Sequence, residues 1–170
     1  CGPPFVIGFV GRLVHQKNPE AFLQIFHQLV LSGVDAQAVV IGDGPRRAEL
    51  QRICEAAGIV QRVSFRGAVD AAPLLGQLDV MLHTSRYESL PYTLLEALAA
   101  RVPVVAADNA GSREILSAGR LVASADDLPA FVEQTRRLLL DPAFAQRVID
   151  DGLQRLERYD IATMCRAIEN

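Results

Sequence analysis

Short apolar runs alternate with longer stretches of helical period along the chain. Phe5 to Val10 is a nearly continuous apolar run closed by Gly11, which predicts a buried strand. From Asn18 onward, Phe22, Ile25, Phe26 and Leu29 follow the i, i+3, i+4, i+7 spacing of one helical face. A helix over 18–32 follows, with Asn18 as N-cap, Pro19 in the first turn and Gly33 as the stop. The same reading predicts strands at 38–41, 63–65, 80–83, 103–107 and 121–122. Helices are expected at 46–57, 72–78, 92–100 and 112–117. Residues 126–170 read as two or three amphipathic helices, broken at Asp141-Pro142 and again near Asp160.

Strands spaced by helices in this way specify βαβ units, hence an α/β fold with a doubly wound parallel sheet of about six strands and helices on both faces. Ligands in such sheets sit at the carboxyl ends of the strands, near the reversal of strand order. The loops after the strands are therefore where chemistry is expected.

Composition narrows the classes. The chain has 170 residues, 50% of them apolar and 22% charged, enough for a single domain over 1–170 and too few for two ordinary ones. Disorder is excluded by this apolar content. A net charge of −3 argues against a broadly basic nucleic-acid binder. No run is long enough for a membrane span of roughly 18 residues. The chain opens at Cys1 rather than Met, so a piece of a longer protein is expected. Cys1, Cys54 and Cys165 form neither a zinc spacing nor a disulfide framework, which fits a reducing cytoplasm. Of the 17 basic residues only Lys17 is a lysine.

Lys17 falls in an informative place. Strand one is followed by Gly11-Arg12-Leu13-Val14-His15-Gln16-Lys17-Asn18, where two cations flank a loop that feeds a helix. A phosphate there would meet Arg12, Lys17 and free backbone N–H groups together; the bland alternative is two solvated charges. After strand four, Glu88 and Glu96 stand eight apart, one in a loop and one on the next helix, with Pro91 placed in its first turn. The N–H groups of 89–92 would face an anion, and the carboxylates would accept hydrogen bonds from sugar or ribose hydroxyls. In isolation the pair reads equally well as surface charge. Gly42-Asp43-Gly44-Pro45 reads as a tight turn, because a dinucleotide fingerprint would follow strand one and run GxGxxG. His15, His27 and His83 share no metal-ligand spacing, so no metal site is expected. His83 ends strand four, where a structural role is as natural as a functional one. Gly111, before Arg113 and Glu114, either permits a close backbone approach or makes a turn.

Taken in order, Gly-Arg-x4-Lys-Asn, Ile-Gly-Asp-Gly-Pro, Val-x-Phe-x-Gly, Ser-x-x-Glu-x7-Glu-Ala, Pro-Val-Val-Ala and Ala-Gly-x-x-Glu resemble the donor-binding C-terminal domain of retaining GT-B glycosyltransferases, group 1. Each motif alone is weak, and six in the right order are specific. The resemblance runs from about Phe5 to Asp141 and implies one Rossmann-like half of a two-domain enzyme, whose N-terminal acceptor domain is absent from this chain. It implies that Gly11, at the end of strand one, belongs to the donor-binding set. Arg12 and Lys17 would hold the diphosphate of a nucleotide sugar, and Glu88 the hydroxyls of the transferred sugar. Ser89 and Leu90 would offer backbone N–H groups, Leu95 would lie beside the ribose and phosphate, and Glu96 would bind the ribose hydroxyls. The loop from Gly67 to Val69 would form an edge of the base pocket. Many members carry Gly-Phe-Gly where this chain has Ser89-Leu90-Pro91.

The resemblance further implies transfer with retention of anomeric configuration from a substrate such as a UDP- or GDP-sugar, with no separate cofactor and no metal. Arg12, Lys17 and Glu88 would be the catalytic set. The acceptor, a glycan or a lipid-linked one, would belong mainly to the absent half, as would any contact with the inner face of a membrane. The isolated domain is expected to be inactive. Two rivals share the fold: a non-catalytic nucleotide-sugar binding module, and an NAD(P)-dependent oxidoreductase, which lacks its glycine fingerprint here.

Overall fold

The computed structural model describes residues 2–117, 119, 121–122 and 124–159. Six strands, β1 (Phe5–Val10), β2 (Ala36–Ile41), β3 (Val63–Gly67), β4 (Val80–His83), β5 (Val104–Ala107) and β6 (Leu121–Val122), form one sheet in the order β3-β2-β1-β4-β5-β6. All neighbours pair in parallel. The order reverses between β1 and β4, where Ile7 pairs with Val80 and Gly8 with Met81.

Side-chain alternation divides the core in two, because successive residues of a strand face opposite sides. Ile7, Phe9, Ala38, Val40, Val80, Leu82, Val105 and Ala107 pack on one face against α1 (Pro19–Leu31), α2 (Arg47–Ala56) and α6 (Leu128–Leu140). Val10, Ile41, Met81, Val104 and Ala106 pack on the other against α3 (Ala72–Leu75), α4 (Tyr92–Ala99) and α5 (Ala110–Ile115). Burial on both faces explains why these strands read as apolar runs rather than as alternating patterns. The last α-helix among the described residues, α7 (Pro142–Leu156), reaches α4, where Gly152 lies so close to Leu98 that a Cβ would stand 2.6 Å from its Cδ2. No helix of the described residues is long and apolar enough to cross a membrane.

Several local expectations change. Asn18 does not cap α1 through its side chain; it adopts a left-handed conformation (φ 51°, ψ 50°) and sends Nδ2 to the carbonyl of Ala125, 3.1 Å away. Asn tolerates that backbone better than most residues, and the bond ties the β1 loop to the segment after β6. Helix α3 stops at Leu75 rather than Leu78, because Leu78 is drawn into the core at the start of β4. Helix α5 begins at Ala110, one residue after Asn109, whose Oδ1 accepts the Ser112 N–H at 3.0 Å. The break at Asp141-Pro142 is present, with Asp141 capping α7 through the Phe144 N–H. The break expected near Asp160 and Cys165 lie outside the described residues.

Arg101 closes α4 with φ 60°, a conformation that a Cβ disfavours. Its N–H bonds the carbonyl of Leu98 and that of Val102 bonds Ala97, so the turn is held in place despite the cost. Arg101→Gly should therefore raise stability by about 0.5–1 kcal/mol, after allowance for glycine's larger unfolded-state entropy. The urea unfolding midpoint measures it, and an unchanged or lower midpoint would refute it.

Candidate active site

The carboxyl ends of β1 and β4 are neighbours, and the loops leaving them carry the charged residues singled out in the sequence. Backbone packing fixes the first loop. Gly42, at the end of β2 with φ 134°, presses so closely on it that a Cβ would stand 1.9 Å from the Gly11 carbonyl oxygen. The Leu13 N–H donates to the Asp43 carbonyl at 3.0 Å, and the Arg46 N–H to the Leu13 carbonyl at 3.2 Å. Gly42 to Pro45 is thus a tight turn that also buttresses the loop after β1. Lys17 ends a single 3-10 turn over His15–Lys17, and its stem lies 3.5–3.7 Å from the Cβ position of Gly11.

This packing narrows one expectation. The N–H groups of Gly11, Leu13, Val14, Lys17 and Asn18 are already bonded to carbonyl oxygens, whereas those of Arg12, His15 and Gln16 have no partner among the described residues. The loop offers an anion its side-chain cations and these three backbone donors. Arg12 is exposed and forms no ion pair with the described residues.

The second loop is locked to the first. Gln16 Nε2 donates to the Tyr87 carbonyl at 3.0 Å, and the Arg86 N–H donates to the Gln16 carbonyl at 2.9 Å. The hydroxyl of buried Thr84 reaches the carbonyls of Lys17 and Asn18 at 3.0 and 2.9 Å. Asn109 Nδ2 holds the Ser85 carbonyl, and the Gly111 N–H holds that of Glu88, both at 3.0 Å. A Cβ on Gly111 would stand 2.7 Å from Pro91 Cδ and 2.9 Å from the Ser89 carbonyl oxygen. Gly111 therefore serves close approach, and what approaches is the loop that carries Glu88.

Glu88 and Lys17 form an ion pair through Oε1 and Nζ, with side chains only 10% and 18% exposed. The pair is part-buried, so removing one member leaves the other charge without its partner beneath the loops. Beyond Glu88, the N–H groups of Ser89 and Leu90 have no partner among the described residues. Pro91 stands just before α4 in extended backbone (φ −80°, ψ 92°) rather than in its first turn. Leu95 is half-buried and Glu96 exposed one turn into α4, and Glu96 is unpaired among the described residues. At the sheet edge, Val69 is 50% exposed beyond Gly67, whose carbonyl accepts the Gly42 N–H. With strands about 4.8 Å apart, the β3 loop lies roughly 10 Å from the β1 loop, along one rim of the sheet.

His83, which the sequence left between structure and function, ends β4 beneath Glu88. It is 3% exposed, and its Nε2 lies 3.9 Å from Glu88 Oε1. Burial pushes the imidazole down from 6.5 to about 4, reinforced by Lys17 and opposed by Glu88. No group of three or more His, Cys, Asp or Glu side chains among the described residues is placed to hold a metal ion.

A six-stranded 3-2-1-4-5-6 sheet with charged loops at its switch point is the Rossmann-like half of a GT-B fold. Residues 4–141 match the family model for glycosyl transferases group 1, and the chain belongs to that family. It is 31% identical over 154 residues to an alpha-D-kanosaminyltransferase of Streptomyces kanamyceticus, covering 86% of this chain and 39% of that protein. It is 32% identical over 173 residues to the lipopolysaccharide core biosynthesis mannosyltransferase LpsB of Rhizobium meliloti, covering 95% of this chain and 49% of that one. The chain thus spans less than half the length of these relatives. Among solved structures, Anabaena HepE in complex with UDP and glucose matches with a TM-score of 0.84 at 22% identity, over 98% of this chain and 47% of that chain.

The His83 environment sets a pH dependence. Below pH 6.5 the unfolded chain takes a proton on His83, whereas the folded chain does so only near pH 4. The unfolded state therefore binds more protons in this window, so stability falls as pH drops from 6.5 toward 4 and this contribution is flat above 6.5. His83→Leu should flatten that part of the profile, read by urea titration at stepped pH. A wild-type slope retained in the variant would rule the assignment out.

Proposed function

We propose that this domain binds a nucleotide-diphosphate sugar and serves as the donor half of a glycosyltransferase that transfers the sugar with retention. The observation that carries the reading is the meeting of Lys17 and Glu88 across the β1–β4 switch point. A cation for phosphate and a carboxylate for hydroxyls stand side by side, in the place where doubly wound sheets bind ligands. Arg12 is exposed nearby, and among the described residues two N–H groups at Ser89 and Leu90 are free and Glu96 is unpaired.

In this arrangement the bond between the anomeric carbon and the diphosphate oxygen breaks and the leaving group gains negative charge, while an acceptor hydroxyl oxygen bonds that carbon on the same face and gives its proton to the departing diphosphate. Arg12 and Lys17 neutralise it, and the Ser89 and Leu90 N–H groups add dipoles aimed at phosphate or sugar. Glu88 orients the transferred sugar through its hydroxyls and does not act as a nucleophile. Glu96 accepts the ribose hydroxyls, with Leu95 beside them, and the loop from Gly67 to Val69 borders the base. The co-crystallised UDP and glucose of HepE and the sugar-transferring names of the relatives support this choice of ligand. The acceptor and the closing wall of the cleft belong to the remainder of the longer enzyme, and the isolated domain turns over little or no donor.

Calorimetric titration with UDP, GDP and ADP tests the reading on the domain and on the full-length protein. One nucleotide should bind saturably. Arg12→Ala with Lys17→Ala should weaken it by about 10–100-fold or more, the worth of charge-assisted hydrogen bonds, and Glu96→Ala should weaken it less. A folded full-length protein that ignores all three nucleotides would refute the assignment.

A further inference from the structure

Lys17 is the only side-chain partner of Glu88 within hydrogen-bond range among the described residues. From beneath, His83 turns Nε2 toward the same oxygen, Oε1, and stops at 3.9 Å. That nitrogen is buried without a hydrogen-bond partner among the described residues. Native folds leave few buried polar atoms unpaired, and each calls for an account in strain, in a functional role or in a bound water. The loop that holds Glu88 is fixed at its backbone by Gly111 and Gln16, and its carboxylate is held by Lys17.

We propose that His83 is the positioning residue for Glu88: when a donor diphosphate draws the Lys17 ammonium away, the carboxylate moves onto His83 Nε2–H and is held there for the sugar hydroxyls. The role rests on the donor reading above. The required movement is about 1 Å, from 3.9 Å to an ordinary N–H···O distance. A diphosphate carries more negative charge than one carboxylate, so it competes well for the ammonium. The imidazole is suited to the exchange because it is neutral at pH 7: it donates one hydrogen bond and leaves the carboxylate its full charge. The charged groups that act on His83 are Glu88, from its own loop, and Lys17, from the turn after β1. Loss of Lys17 from the pair removes the cation that disfavours imidazole protonation and brings closer the anion that favours it.

Nitrogen-15 histidine spectra of the full-length protein, titrated with acid, read this contact without needing a ligand. In Lys17→Met the His83 pKa should rise by about one unit or more, and its Nε2–H should become protected from solvent exchange. Glu88→Gln in the same background should reverse the rise. An unmoved His83 in Lys17→Met, or a rise that survives Glu88→Gln, overturns the proposal. UDP, GDP and ADP are then added to the wild type. If none binds, the donor reading fails, and the Lys17→Met result still decides whether His83 meets Glu88. If one binds and the Nε2–H stays unprotected, the donor reading stands and the positioning role falls.

Donor turnover supplies a second readout. His83→Leu should lower kcat by about 10–100-fold with KM for the donor within about threefold, since a misplaced orienting group costs mainly the chemical step. His83→Gln, which keeps a nitrogen donor near the Nε2 position, should recover most of the loss. Equal losses in both variants, or a loss confined to KM, would leave His83 a merely structural residue.

Discussion

Burial of the two central strands on both faces is the constraint from which the site follows. β1 and β4 lie between apolar layers, so no charged side chain is tolerated along their length, and Val80, Met81 and Leu82 are all buried. Polar chemistry is displaced to the strand ends. At the carboxyl end it appears at once as His83, Thr84 and Ser85, all buried, then as Glu88. Each buried polar group there needs a partner, and most partners come from a neighbouring loop: Thr84 uses the carbonyls of Lys17 and Asn18, and Ser85 uses Asn109. The demand for hydrogen-bond satisfaction is what joins the β1, β4 and β5 loops into one surface.

Much of this was legible in the chain because the signals are local. Apolar runs of strand length between helix-period segments placed all six strands, and their parallel pairing followed from the crossovers, though the order of the strands did not. The lone lysine and the first glutamate of the pair stood out by position after strands one and four, and they do meet. What escaped were relations between distant backbones. Nothing near Gly42 in sequence says that its Cα faces the Gly11 carbonyl, and nothing near Asn18 says that its side chain serves the segment at Ala125 rather than its own helix. Which N–H groups of the β1 loop are occupied was equally unreadable, since the acceptors of Gly11 and Leu13, at Ile41 and Asp43, sit on other elements. His83 had the right address, but its depth and its aim at Glu88 depend on side-chain packing in three dimensions.

The electrostatics of the pair depend on exposure. Lys17 and Glu88 are shielded by their own loops, but Arg12 and Glu96 are open to water on the same rim. In water a charge pair 4 Å apart is worth about 1 kcal/mol, and several times that once solvent is thinned. Closing a second domain over this rim would therefore strengthen Arg12 and Glu96 most, and Lys17 and Glu88 least. On the proposed function, in which a second domain covers this rim, the inner pair would keep the empty site organised and the outer two charges would gain their full effect only on closure.

The departure from the family's usual glycines after Glu88 fits the same geometry. Glycine at position 89 would free the backbone to approach a ligand, yet Ser89 already presents its N–H unpaired, with its side chain exposed. Pro91, in extended backbone just before α4, limits the turn to few conformations, and Gly111 lets that turn sit within contact distance of α5. The close approach that glycine would give to the ligand side is here given to the protein side. A loop made rigid from behind needs less glycine in front, and on the proposed function its two open N–H groups would meet a donor at little further entropy cost.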